Sequence, residues 1–132
     1  MAVFTDAYEN DQINYYLRGQ AHDASLPQSA NVYCALYEGG DPTETGSGFT
    51  EVTGGSYARQ QMEFDAPVAG VTQNTNQELF TDMPAVTVTG FGLFTELTGG
   101  TLCLFGGLTV DRQVTAGDDF KFNVAAISIT LD

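Results

Sequence analysis

Residues 31–60 read NVYCALYEGGDPTETGSGFTEVTGGSYARQ, and their alternation of apolar runs with turn formers sets the fold class. Asn31–Tyr37 is a continuous apolar run of strand length, as expected of a buried strand. Residues 38–48 form an acidic stretch rich in Gly, Thr and Pro, which reads as a long loop. Thr50–Val52 and Tyr57–Phe64 flank Gly54–Gly55–Ser56, which predicts a tight hairpin. Within its second arm, period two puts Ala58, Gln60, Met62 and Phe64 on one face. Tyr57, Arg59, Gln61 and Glu63 take the other. No catalytic constellation stands in the stretch.

The same rhythm continues toward the C-terminus. Asp65–Asn76 reads as a loop, Gln77–Thr81 as a short strand. Val86–Phe94 alternates, with Val86, Val88, Gly90, Gly92 and Phe94 facing one way and Phe91 and Leu93 the other. Gly90 and Gly92 signal a bulge or a close backbone approach. Thr98–Gly99–Gly100 turns into Thr101–Phe105, and Gly106–Gly107 bends the chain before Leu108–Val110. Ala116–Gly117–Asp118 turns between Gln113–Thr115 and Phe120–Phe122. Ala125–Leu131 closes the chain with Ala125, Ile127, Ile129 and Leu131 on one face. About eight short strands follow, with no helix between successive strands, which excludes a parallel α/β sheet. The expectation is a mainly β fold: an antiparallel β-sandwich with one short N-terminal α-helix.

That helix precedes the β region. Thr5 or Asp6 can cap it, Asp6 and Glu9 lie in its first turn, Arg18 lies at its end, and Gly19 suits a left-handed cap. Tyr8, Ile13, Tyr16 and Leu17 come close to a stripe. So short a helix needs a packing partner, either the β domain or a neighbouring subunit. Its tyrosines are core lids or interface anchors. The chain of 132 residues divides into a helical arm (1–19), a polar connector with Pro27 (20–30) and a single β domain (31–132).

Seventeen Asp and Glu face four Lys and Arg, for a net charge of −13. Such a surface repels phosphate backbones and anionic membranes, which argues against direct nucleic-acid or membrane binding. It serves solubility, or docking on positive or polar surfaces. No apolar run approaches the roughly 20 residues of a membrane helix. The N-terminus lacks a basic region before an apolar core, so no secretory signal is expected.

Catalytic chemistry finds little support. His22 is the one histidine, in a polar connector. Cys34 and Cys103 lie in apolar runs, where buried free thiols are expected and a thiolate is disfavoured. Asp118–Asp119 and Asp41–Glu44 offer oxygen ligands, but their plain reading is turn chemistry. No cofactor or metal is expected. Arg59, in an aromatic strand, should form a structural ion pair with a carboxylate or stack on a tyrosine.

The segments VYCALYE, GGDPTETGSG and EVTGGSYARQ, in this order, resemble those of a family of small tailed-bacteriophage virion proteins, often labelled tail fibre proteins. The likeness extends over YYLRGQA, VTQNTNQELF, VTGFGLFTELTGGTLCLFGGLT and VTAGDDFKFNVAAISITLD, nearly the whole chain. It implies a non-enzymatic virion structural protein, made in the bacterial cytoplasm and carried on the capsid surface or tail. Capsid decoration, or cement, on the major capsid protein is the leading expectation, because a compact domain has no shaft. The alternative is a tail fibre or tail-tip protein in host attachment. A cell-envelope hydrolase is a third possibility, against which the missing histidine partners argue. A homo-oligomer, dimer or trimer, is expected. Candidate interface residues are Tyr8, Ile13, Tyr15 and Tyr16 on the helix and Asp41, Thr43, Glu44 and Thr45 in the loop.

Overall fold

The computed structural model describes residues 2–26 and 31–131. Pro27 and the rest of the connector up to residue 30 lie outside the described residues. The chain is mainly β. In order it forms β1 (Ala2–Phe4), α1 (Asp6–Arg18), β2 (Val32–Glu38), β3 (Gln60–Met62), β4 (Val71–Gln73), β5 (Glu78–Phe80), β6 (Val86–Phe94), β7 (Leu102–Val114), β8 (Phe120–Phe122) and β9 (Ser128–Thr130). Every strand pairing is antiparallel. The main sheet runs β1-β7-β6-β2-β3, and two ribbons, β4-β9 and β5-β8, form the facing layer.

The apolar run of β2 sits beside the sheet's middle strand, and its alternation is clean. Cys34 and Leu36 point toward the ribbons, where they join Val88, Leu93, Phe80, Phe120 and Ile129 in the main core. Ala35 and Tyr37 point the other way, into a smaller cluster with Phe94, Leu102 and Phe105. Phe49, arriving from the acidic loop, covers that second cluster with edge-on contacts to Tyr37 and Phe94, ring centroids 5.1 Å apart in both cases. A strand buried on both faces reads as an unbroken apolar run, as this one does.

Several sequence expectations are corrected. Thr50–Val52 and Tyr57–Phe64 do not form a hairpin with each other. Both pair with β2: Glu51 lies opposite Tyr37, and Gln60 opposite Cys34. Three steps along β2 therefore face nine steps of the partner segment. The surplus loops out and docks on the 82–84 turn, where Ser56 donates its N–H to the Asp82 carbonyl at 2.9 Å. The simple alternation expected for 57–64 fails with it, since Arg59 and Met62 are both buried.

In β6 the expected facing is half wrong. The register slips between Val88 and Gly90, so Val88 joins Phe91 and Leu93 in the main core, while Phe94 faces the second cluster. A bulge of this kind flips the phase of a strand. Residues 102–114 count as one strand rather than two, but its register with β6 breaks directly after Gly107 and leaves 108–111 unpaired with β6. The supposed loop 65–76 contains β4, paired with β9. Ile127 and Ile129 are buried as expected, but Ala125 stands in a turn at φ 62° and Leu131 is exposed.

Candidate docking surface

Helix α1 starts and stops where its sequence says. Thr5 is the N-cap residue, and Gly19 ends the helix at φ 63°. The Gln20 N–H returns to the Asn14 carbonyl at 3.0 Å, closing the last turn. Thr5 does not cap with its side chain. Its hydroxyl donates instead to the Leu102 carbonyl at 3.1 Å, and its N–H to the Cys103 carbonyl at 2.9 Å. The helix is thereby tied to β7 at its root.

Beyond the root, no residue of α1 is buried. Tyr8 turns inward, its hydroxyl against the Cys103 thiol, and burial pushes that phenol up. Tyr15 lies over His22, rings stacked 3.8 Å apart, and His22 Nδ1 meets Asp11 Oδ2 at 2.6 Å. The Asp23 N–H and His22 hold the Asp11 carboxyl below its ordinary range. These contacts fasten the connector to one flank of the helix. The opposite flank is bare: Ile13, Tyr16 and Leu17 are 51%, 74% and 80% exposed. They stand at i, i+3 and i+4, one stripe of the helix. Leu17 completes this patch beside the residues singled out above; its place one turn beyond Ile13 was the available signal.

The acidic loop meets the helix at its first turn. The Asp6 N–H donates to the Glu44 carbonyl at 2.9 Å, so loop tip and helix root are one surface. The loop is ordered from within. Thr43 and Ser47 close it through an N–H to carbonyl bond of 2.9 Å, and the hydroxyls of Thr43, Thr45 and Ser47 contact one another at 2.7–3.2 Å. Asp41 is partly committed to the fold, since the Tyr37 hydroxyl donates to its Oδ1 at 2.8 Å. Thr43, Glu44 and Thr45 are exposed.

Arg59 lies outside this surface. Its Nε and Nη2 donate to the two oxygens of Glu51, each at 2.9 Å, and its Nη1 donates to the carbonyls of Glu96 and Gly99 at 2.9 and 2.7 Å. The guanidinium stacks on Phe94, 3.8 Å from the ring centre, rather than on a tyrosine. Tyr57 adds its hydroxyl to Glu51 while accepting the Leu36 N–H. This cluster is structural: it pins the looped-out segment to β2 and β6.

Other chemistry-bearing groups are scattered. Cys34 and Cys103 are free and buried, and burial raises both thiols. Among the described residues, no three of His, Cys, Asp and Glu come together as a metal site. No described helix is long and apolar enough to cross a membrane.

Residues 3–130 match the family model described as Gp80, podophage GP4 fiber I protein gp80. The chain belongs to this family. Gp80-family membership makes it a structural protein of the phage virion, with other virion proteins as its neighbours. The tailed-phage resemblance of its sequence segments points the same way. No curated protein matches the chain.

Proposed function

We propose that the chain is a non-enzymatic fibre subunit that docks on another virion protein through α1 and the adjoining loop 41–47. The stripe Ile13, Tyr16 and Leu17 carries this reading. Three large apolar side chains on an otherwise acidic helix lose free energy in water and regain it in an interface. The rim of Asp6, Glu9 and Glu44 suits a partner with basic residues around an apolar groove. A dimer or trimer would present several such helices at once and multiply a weak contact.

Capsid decoration is the second reading. Its support is that none of the described strands or the helix exceeds 13 residues, too short for a shaft, and that a ligand binding only the assembled shell stabilises it by linkage. The family's fibre description favours the tail. Copy number separates the two readings: a handful per particle supports the fibre, and hundreds support decoration of the major capsid protein.

The docking claim is tested in particles made without the chain and supplied with purified protein. A Tyr16→Asp/Leu17→Asp variant should fold normally and fail to join the particles. Incorporation equal to that of the unaltered protein overturns the proposal.

A further inference from the structure

The two layers of the domain do not close fully over the main core. Phe4, Leu104 and Leu93 stand in one row across β1, β7 and β6. Ribbon β4-β9 meets that row with the pair Thr72 and Ile129. Thr72 is short, and its hydroxyl turns to Asp65, donating to the carbonyl at 2.7 Å and to Oδ1 at 2.9 Å. A cavity of about 420 Å³ remains between the layers, with Tyr8 of α1 forming part of its wall. Phe4, Val32 and Phe64 line it as well; they pack on the main core yet stay only partly buried.

The chemistry of this mouth is one-sided. Its walls are almost wholly apolar, and Asp65 is the one side chain on it that is charged at neutral pH. Asp65 Oδ1 also accepts the Gln73 N–H at 3.2 Å, but no cation pairs with the carboxylate among the described residues. An apolar opening of this kind loses free energy in water and regains it when filled. Benzene fits an apolar cavity of about 150 Å³, so this one admits an aromatic or branched aliphatic side chain.

We propose that the mouth seats one bulky apolar side chain of another virion protein, with a Lys or Arg beside it that meets Asp65. The anchor completes the core between Thr72 and Leu104, and the cation matches the unpaired carboxylate. A second copy of this chain is a poorer source, because a charge of −13 repels its twin. The inference goes beyond helix docking: it depends on the chain's place in the virion and not on the stripe Ile13, Tyr16 and Leu17.

The test supplies purified protein to particles made without the chain. Thr72→Phe puts a ring into the mouth, and its half-saturating concentration for joining particles should rise about tenfold. Asp65→Asn keeps Oδ1 and removes the charge; that concentration should rise about threefold, and only at low salt. A photoreactive residue at position 68, where Val68 is 75% exposed next to Pro67 of the lining, should cross-link to a peptide of another virion protein with a large apolar residue beside Lys or Arg. If Thr72→Phe does not melt as the unaltered protein does, Asp65→Asn and the cross-link decide alone. The proposal is overturned if Thr72→Phe folds and joins normally, if Asp65→Asn changes nothing, or if position 68 reaches only a second copy or nothing. A small molecule held in the mouth, found by native mass spectrometry of protein released from particles, overturns it too. The Tyr16→Asp/Leu17→Asp variant run alongside separates the two readings. Its failure to join beside a normal Thr72→Phe leaves helix docking standing alone, and the reverse outcome removes helix docking instead.

Discussion

The backbone N–H of Asp6 donates to the carbonyl of Glu44 at 2.9 Å, joining the root of α1 to the tip of the acidic loop. Two segments far apart in sequence thus form one face. Their joint position depends on Thr5, whose buried hydroxyl bonds to the Leu102 carbonyl.

Replacing Thr5 by Val keeps the shape and removes that bond. Unfolding stability should fall by about 1–2 kcal/mol. Amide exchange should quicken along α1 more than along β2 or β6. Denaturant titration with exchange mass spectrometry checks both.

How much of this was legible follows from what holds each element. β2 and β6 declared themselves, β2 by its unbroken apolar run and β6 by its length and alternation. The helix limits were readable from Thr5 and Gly19, which act locally. The edge was not. Gly54–Gly55–Ser56 favours a tight turn, but the Tyr57 hydroxyl on Leu36 and the Arg59 cluster draw the next segment back to β2. The Tyr57–Leu36 and Arg59–Glu96 contacts span 21 and 37 residues and leave no local signature. The phase flip in β6 was half legible: Gly90 signalled a bulge, but its consequence for Val88 needs the register of β7. On the docking surface, the residues were readable as types, yet only the fold shows that Tyr8 turns in while Ile13 and Tyr16 turn out.

Arg59→Ala should destabilise the domain by about 2–4 kcal/mol, less than a fully buried pair would because Glu51 is partly open to solvent. Arg59→Lys should recover little, since one ammonium cannot span Glu51 and two carbonyls while stacking on Phe94. Urea unfolding of both variants tests this.

Gly90→Ala should cost about 3 kcal/mol or more. A Cβ there would collide with the Tyr37 ring and lie 2.5 Å from the Gly106 carbonyl oxygen, which is backbone and cannot turn aside. Gly92→Ala meets only side chains, Phe49 at 2.5 Å and Leu102 at 2.8 Å, and should cost less. The ranking of their melting temperatures decides the point.

Glu78 is 1% exposed on β5, its Oε1 without a hydrogen-bond partner, and burial raises its carboxyl to about 7 with Glu63 adding to the effect. Sharing a strand face with Phe80, it belongs to the core by alternation. The folded state therefore holds a proton that the unfolded state releases near the ordinary carboxyl value of 4.5. Stability from this group is greatest below that pH, declines as pH rises toward 7, and is flat above. The loss is about 3 kcal/mol at most. Repulsion among the other carboxylates acts in the same direction, so the diagnostic is Glu78→Gln. That variant should be more stable than the unaltered protein at pH 8 and should lose most of the slope between pH 5 and 7.

The central claim is that α1 is the docking element of a virion part. An averaged image of the intact particle, resolved well enough to place the domain, tests it most directly. The account predicts Ile13, Tyr16 and Leu17 pressed against another virion protein, with the 41–47 loop alongside. A domain held in the particle with that stripe facing solvent in every copy would contradict it.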